Sequence, residues 1–187
     1  MLGRRGGAAI AESPFTGSQQ IQEWPGSGMW TAKVELPPMR ISTAAPWIAW
    51  KAACRGVARR FMLGPSEGKT PRGVATGSIF VAANAVKDAF AISLKGFPPN
   101  TAGVLLRRDF FEISNRLYMI CSDEDSNGSG IASFDCWPSL REAHAEDTPV
   151  IINSPRGLFR FSTNEMDFYD ANEQKIYDLS FEAIEAL

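Results

Sequence analysis

Apolar and polar residues alternate along residues 29–36, which is the period of a strand with one face against a core. Trp30, Ala32 and Val34 fall on the expected inner face, while Lys33 falls on the other. A pair of prolines follows directly and ends the alternation. The pattern therefore predicts a half-buried strand.

A helical period replaces this alternation over residues 43–56. Apolar residues recur there at spacings of three and four, which is typical of a helix with one face against a core. We expect Thr43 to cap its N-terminus and Gly56 to end it. Lys51 and Arg55 should then face away from the core. The expected apolar stripe consists of Trp47, Trp50, Cys54 and Val57.

Short apolar or alternating segments, separated by turn residues, make up most of the remaining chain. Residues 15–24 are polar, and the turn after them favours an edge strand paired with residues 29–36. Ser114 and Asn115, and the acidic stretch 123–130, are turn sequences that predict antiparallel hairpins. About ten short strands and one helix predict a mainly β protein, an antiparallel β-sandwich or barrel. The other predicted strands are 61–63, 78–83, 86–94, 104–107, 110–113, 116–122, 131–137, 150–152, 158–162 and 176–184.

These elements place residues 14–187 in one β-rich domain. The first thirteen residues are rich in glycine and alanine, so we expect a mobile N-terminal end at 1–13. Residues 64–77 contain four glycines and two prolines, which predicts an exposed loop that partners can contact. The loop at 96–103 is a candidate sub-boundary within the domain.

Charge and composition exclude several functions. The chain has 44% hydrophobic residues, enough for a substantial core, and a formal net charge of -2 with basic and acidic residues interspersed. No basic stripe for nucleic acid is present. No apolar run reaches the length of a secretory signal or a membrane span, so we expect assembly in a cytoplasm without membrane insertion.

The three cysteines carry no paired spacing. Cys54, Cys121 and Cys136 each lie among apolar neighbours, and their number is odd. This pattern indicates buried thiols, and it lacks the ligand spacing of a structural zinc site.

Residues 64–70 have some features of a phosphate-binding loop. Three residues separate Gly64 from Gly68, where the motif requires four, and Pro71 follows where a helix should begin. We therefore expect neither nucleotide nor any other cofactor.

Asp123, Asp125 and Asn127 match the first half of a calcium-binding loop, because oxygen ligands on alternate residues can converge on one cation. The twelfth position of that loop is Phe134, where a bidentate carboxylate is required. The stretch is a weak calcium candidate, and an ordinary hairpin turn is the favoured interpretation.

No catalytic constellation is visible, so we do not expect an enzyme. His144 is the single histidine and lies in a polar loop, where we expect it to be solvated and dispensable. Ser139 and Cys136 are the nearest nucleophiles in sequence, but neither occupies a sharp nucleophile turn. The five tryptophans could stack on a sugar, although Trp30, Trp47 and Trp50 fall on predicted core faces.

A series of short motifs occurs in an order that points to a known family. In the first half they are Pro14-Phe15, Gln19-Gln20, Trp24-Pro25-Gly26, Trp30, 34–37, 47–50, Arg55-Gly56 and 61–64. In the second half they are 105–107, 109–113, Leu117-Tyr118, Gly130, 137–141, 155–157 before Phe159, and 181–187. Together these residues resemble the small tail proteins of long-tailed bacteriophages and prophages, in particular distal tail proteins. Such proteins tend to have glycine before the aspartate that corresponds to Asp109, where this chain has Arg108.

The resemblance implies a virion structural protein that is not an enzyme. It implies a ring of copies of this chain, a homo-hexamer, between the tail tube protein and the tail hub, tip or fibre proteins, assembled in the bacterial cytoplasm. One alternative is another virion part, such as a tail-tip or receptor-binding component. A second alternative is a carbohydrate-binding or hydrolytic β-domain, which would keep an exposed aromatic strip, whereas a ring component would cover its edges with its own copies.

Overall fold

A computed structural model of the chain describes residues 1–24, 26–164 and 176–187. The α-helix α1 is Ile41–Cys54, and a 3-10 helix follows at Gly56–Ala58. The described strands are β1 Leu2–Arg5, β2 Ala8–Glu12, β3 Gln19–Glu23, β4 Met29–Glu35, β5 Met39–Arg40, β6 Phe61–Leu63, β7 Ile79–Val81, β8 Ala91–Lys95, β9 Phe110–Ile113, β10 Arg116–Ile120, β11 Ile131–Trp137, β12 Pro149–Val150, β13 Gly157–Phe161, β14 Ile176–Tyr177 and β15 Ser180–Glu185. The protein is mainly β with one α-helix in the described ranges, and the fold-class prediction is confirmed.

The chain divides into two compact units that are not consecutive in sequence. The first unit consists of Met1–Gly3, Trp30–Leu63 and Leu158–Leu187, and the second consists of Arg4–Met29 and Gly64–Gly157. The loop at 96–103, where the sequence suggests a sub-boundary, lies inside the second unit. Each unit combines segments that are far apart in sequence, because strands from those segments pair with one another. No local change of composition marks the division.

In the first unit, a five-stranded sheet has the order β1-β4-β15-β13-β6. β15 pairs antiparallel with β4 and β13, which places Ala183 opposite Ala32. The predicted alternation of 29–36 is confirmed, since Trp30 and Ala32 are buried and Lys33 is exposed. An aromatic cluster, defined as Trp50, Phe61, Phe161 and Phe181 with Trp47 at its edge, fills the space beside α1.

The helix begins and ends differently from the prediction. It starts at Ile41 without a side-chain cap, so Thr43 lies inside the first turn. It ends where Arg55 adopts the left-handed conformation with φ 52°, one residue before Gly56. Lys51, predicted to face solvent, is buried, and its Nζ donates to the carbonyl oxygen of Ser180 at 3.0 Å. A lysine stem packs like an apolar chain when its ammonium group reaches a carbonyl, so polarity alone misplaced this residue.

In the second unit, a six-stranded sheet has the order β12-β7-β8-β11-β10-β9. A backbone bridge between Glu112 and Ile151 links the two outer strands, so the sheet is nearly closed like a barrel. Both predicted hairpins are confirmed: β9 pairs with β10, and β10 pairs with β11. Ser114 and Asn115 both have positive φ, as the tight turn between β9 and β10 requires. The largest fully buried side chains in this core are Tyr118, Phe111 and Phe134.

The N-terminal segments pair differently from the expectation. The first thirteen residues, expected to be a mobile end, contain β1 and β2. β3 pairs with β2, and not with residues 29–36 as predicted, because both edges of β4 are already occupied by β1 and β15. Pro25, in the turn expected after β3, lies outside the described residues.

The predicted strand 86–94 is shortened in the structure, and the predicted strand 104–107 is absent from the described strands. In the first segment the strand begins only at Ala91, where β8 starts, and it continues to Lys95. Val86 and Phe90, which precede β8, are exposed. Asp88 has a positive φ of 65°, which interrupts an extended backbone. Residues 104–107 form no described strand, and a single bridge joins Leu105 to Glu124.

Candidate functional site

The N-terminal arm, defined as residues 8–23, is a two-stranded hairpin with both faces in solvent. β2 and β3 pair antiparallel along their full length, and every residue of both strands is exposed. Among the described helices and strands, none other packs closely on this pair. An isolated two-stranded hairpin is marginally stable in water at best, so the arm is the part of the surface that most needs a partner.

The tip of the arm, residues 13–18, is pre-shaped and carries one exposed phenyl ring. The backbone N–H of Ser13 donates to the carbonyl of Ser18 at 2.9 Å, and that of Gly17 donates to the carbonyl of Ser13 at 3.0 Å. Phe15 projects from this turn and is 95% exposed. Further back along the arm, Ile10 and Ile21 lie directly opposite each other, and both are exposed. The arm therefore presents one phenyl ring at its tip and an apolar cross-strand pair to solvent.

The base of the arm is anchored to the corner after β11. The N–H of Gly26 donates to Ser139 Oγ at 3.1 Å, and Arg141 Nη1 donates to the Gly26 carbonyl at 2.7 Å. Arg141 Nη2 donates to the carbonyl of Gly28. A Cβ added at Gly28 would lie 3.2 Å from the indole nitrogen of Trp137, tighter than most real contacts. Close backbone approach and a guanidinium fork together hold the base in one position.

The corner itself is well supported. The backbone N–H of Arg141 donates to the hydroxyl of the fully buried Tyr118 at 3.0 Å. Arg4, which precedes the arm, places its guanidinium 5.8 Å from the centre of the Trp137 ring, within the range of a cation–π contact. The residues that carry the arm are thus held by the core of the second unit, while the arm itself extends beyond these contacts.

A groove of about 260 Å³ lies along β7 and β12 of the second unit. Ile151 at its rim is 47% exposed, whereas Ile79, Val150 and Ile152 are buried beneath it. None of the residues that line it is charged. They are Gly77, Ser78, Ile79, Phe80, Pro149, Val150, Ile151, Ile152 and Asn153. An uncharged groove of this kind suits an apolar side chain.

Buried Asp109 pins the loop at 64–77. Its carboxylate accepts the backbone N–H groups of Arg72, Gly73 and Leu106 at 2.8, 3.1 and 2.9 Å. A Cβ at Gly73 would lie 2.3 Å from the carbonyl oxygen of Val104, so the two backbones are in direct contact. The loop that the sequence presents as open to partners is therefore attached to the core at its centre.

Two more buried carboxylates hold backbone in the same way, one in each unit. In the second unit, Glu112 Oε2 accepts the N–H of Arg156 at 2.7 Å. In the first unit, Glu185 Oε2 accepts the N–H of Trp30 at 3.2 Å. Charge-assisted bonds of this kind offset the cost of burying an acid. Arg108, next to Asp109, has φ 71°, the left-handed conformation that glycine adopts most easily.

The calcium candidates have other partners in the structure. Asp123 accepts from Arg107 Nε at 2.8 Å and Nη2 at 2.5 Å, and this ion pair lowers the pKa of the Asp123 carboxyl. Asp125 accepts the N–H of Gly103 at 2.8 Å, and the Asn127 side-chain oxygen accepts two N–H groups of its own turn. No cluster of metal-ligating side chains occurs in the ranges that the structure describes. These oxygens organise the hairpin turn and its neighbouring loop.

The residues considered for nucleophilic chemistry are not arranged for it. Ser139 accepts a hydrogen bond from Gly26 at the arm base, and burial raises the pKa of the Cys136 thiol to about 12. Such a thiol stays protonated at neutral pH. Cys54 is buried as predicted, but Cys121 is exposed, which corrects the expectation of three buried thiols.

His144 is buried, contrary to the expectation of a solvated side chain. It is 4% exposed, and its backbone N–H and carbonyl both bond to Ala85, at 2.9 and 2.8 Å. Its Nε2 has no hydrogen-bond partner among the described residues. Burial lowers the pKa of the imidazole, although nearby Glu142 opposes this shift. The sequence around His144 is polar, so it gave no sign that His144 forms an antiparallel backbone bridge with Ala85 and is buried.

The lowered pKa of His144 predicts a pH dependence of stability. The unfolded chain takes up a proton near the ordinary pKa of 6.5, whereas the folded chain does so only at lower pH. Stability is therefore fully present above 6.5 and falls as the pH drops towards the lowered value, by at most about 1.4 kcal/mol per pH unit. Urea unfolding of the wild type and His144→Leu between about pH 8 and pH 5 tests this, because the chain has no second histidine. A slope that persists in His144→Leu would refute the assignment.

The five tryptophans differ in exposure and in their neighbours. Trp30 is buried, Trp50 lies in the aromatic cluster, and Trp137 is covered on one face by Arg4. Trp24 and Trp47 are the two of the five with large exposure, 48% and 39%. Trp47 lies edge-on to Trp50 in the first unit, while Trp24 follows the arm in the second.

The sequence interpretation missed the arm, its anchor and the groove. A signal for the anchor was present, because Gly26, Ser139 and Arg141 all belong to the motifs that resemble tail proteins. No periodicity marks the groove, which forms only when two distant strands pair.

In the described ranges, no helix has both the length and the apolar character needed to cross a membrane. Comparison with protein-family models and with curated protein sequences finds no match for this chain.

Proposed function

We propose that this protein is a non-enzymatic structural component of a bacteriophage tail. It forms a ring of its own copies, a homo-hexamer, at the distal end of the tail. This ring connects the tail tube protein to the tail hub, tip or fibre proteins. It works in the virion, without nucleic acid, cofactor or membrane insertion, after assembly in the bacterial cytoplasm.

The observation that carries the proposal is the meeting of two motifs at the arm base. Gly26 belongs to the motif at residues 24–26, and Ser139 and Arg141 belong to the motif at residues 137–141, more than a hundred residues later. Hydrogen bonds join the two motifs. These residues contribute to the resemblance with distal tail proteins, and here they carry a fully exposed hairpin. An anchored arm on which no other described element packs suits a protein whose work is contact with its neighbours.

The mainly antiparallel fold adds support of a more general kind. Buried acidic side chains hold backbone segments in place within it, as Asp109 and Glu112 do. Fold class alone does not assign a role, so the resemblance and the arm carry the proposal.

Labelling of whole particles tests the proposed location. A peptide tag would follow Leu187, which is half exposed, and gold-conjugated antibody would be applied to particles made from the genome that encodes the chain. We expect label at the distal end of the tail and six-fold symmetry in averaged images of that region, with untagged particles as the control. Label on the capsid, or one or two copies per tail, would contradict the proposal.

A further inference from the structure

The arm has the features of a segment that is covered in the working protein. No element of the described ranges covers either face or either edge of the arm, and Phe15 at its tip is almost fully exposed. Ordered apolar side chains in water carry a free-energy cost that burial removes. The anchor through Arg141 fixes the base of the arm, so a partner would meet the tip in a defined position.

The groove along β7 and β12 matches the tip in size. Its volume of about 260 Å³ exceeds the roughly 150 Å³ that suffices to hold benzene in an apolar cavity. The groove therefore has enough volume for a phenyl ring. Ile151 at the rim and the buried Val150 beneath it supply apolar contacts for such a ring.

The tip and the groove also match in charge. Residues 13–18 of the tip contain no charged side chain, and none of the residues that line the groove is charged. Docking would therefore bury no ion and break no ion pair. The two charged residues of the arm lie outside this tip: Glu23 is at the base, opposite Ala8, and Glu12 directly precedes the tip, opposite Gln19.

We propose that the arm of one copy docks on a second copy of this chain, with Phe15 seated in the groove lined by Phe80 and Ile151. Tip and groove are different surfaces of one unit, so each copy gives one arm and receives one. Repeated head-to-tail contacts of this kind close into a ring when the rotation between copies allows it. The inference deepens the proposed function and rests on its ring of identical copies.

The contact should be weak between two free copies. The arm tip and the groove together fall short of the roughly 20–30 residues per side of a standard interface. Closure of a ring, or attachment to a tail tube, would reinforce each contact through effective concentration. The test must therefore trap a transient contact.

Site-specific cross-linking between two variants provides that test. Both carry Cys121→Ser, which removes the exposed native thiol, while Cys54 and Cys136 are buried. One variant also carries Thr16→Cys, an exposed position next to Phe15 that leaves the phenyl ring in place. The other variant carries Ile151→Cys with a tag after its last residue. The full-length proteins are mixed at high concentration and treated with a short bis-maleimide, after far-UV circular dichroism has shown that both are folded.

We expect a cross-linked pair of one tagged and one untagged chain. The matched control replaces Ile151→Cys with Val86→Cys, because Val86 is also an exposed apolar residue of the second unit but lies outside the groove. Untagged competitors without the introduced cysteines can then be added to the mixture. A Phe15→Ala competitor should reduce the cross-linked pair roughly tenfold less effectively than the wild type, whereas Val86→Ala should be as effective as the wild type.

Equal or absent cross-linking in the groove and control pairs would overturn the inference. Failure of the proposed function is distinguishable from this result. A specific cross-link with the label away from the tail end would reject the tail role but retain the arm contact. A distal label without the cross-link would retain the tail role and overturn the arm contact.

Discussion

Replacing Trp50 with alanine is expected to lower the free energy of unfolding by about 3 kcal/mol, close to the lower end for large aromatic truncations in a core. The Trp50 ring centre lies 5.0 Å from that of Phe61, 5.6 Å from Phe161 and 5.5 Å from Phe181. These are edge and tilted contacts that add to the apolar burial. Alanine would remove these ring contacts and leave space beside the three phenylalanines.

Trp47→Ala is the matched control for this prediction. Trp47 lies on the same helix, but it is 39% exposed, and its ring contacts that of Trp50 at the edge of the cluster. The two changes have the same effect on helix propensity, so their difference isolates the aromatic cluster. Urea unfolding followed by far-UV circular dichroism should give a loss of about 1 kcal/mol or less for Trp47→Ala. Equal losses for both variants would show that the cluster does not stabilise the first unit.

The second large effect is expected at Asp109. Asp109→Ala removes one acceptor from three backbone N–H groups, those of Arg72, Gly73 and Leu106. Hydrogen bonds to a charged group contribute about 1.5–3 kcal/mol each, and water can replace part of this at the loop, so we expect a loss of about 3 kcal/mol. Hydrogen exchange at Arg72 and Gly73 should become faster than in the wild type, because the loop at 64–77 would lose its central attachment.

Two other variants make this measurement specific. Asp109→Asn keeps one acceptor oxygen and should be intermediate between the wild type and Asp109→Ala. Asp135→Ala removes an exposed carboxylate from β11 and should change stability by less than about 0.5 kcal/mol. If Asp109→Ala and Asp135→Ala unfold at the same urea concentration, the carboxylate does not hold the loop.

Local patterns identified the elements that depend on local physics. Alternation placed β4 and β11, and helical spacing placed α1 to within two residues at each end. Turn chemistry placed the β9–β10 hairpin at Ser114 and Asn115, because few residue pairs accept positive φ at both positions. These features depend on neighbours within a few residues, which a single sequence contains.

The burial of polar residues was harder to predict from the sequence. His144, Lys51 and Asp109 are all buried, and the sequence pattern predicted solvent for the first two. Their partners are a backbone bridge at Ala85, the carbonyl of Ser180, and amides of a loop more than thirty residues before Asp109. A buried polar group is stable only when such distant partners arrive, so its position is a property of the assembled fold.

The sequence by itself determined the β-rich class, the single helix of the described chain and most strand positions, because hydrophobic period and turn residues act locally. Only the tertiary structure decided that the chain divides into two interleaved units and that β4 lies between β1 and β15. That pairing left β2 and β3 to each other, and so created the exposed arm. Strand partners are chosen by competition among all available edges, and this competition is settled only when the whole chain has folded.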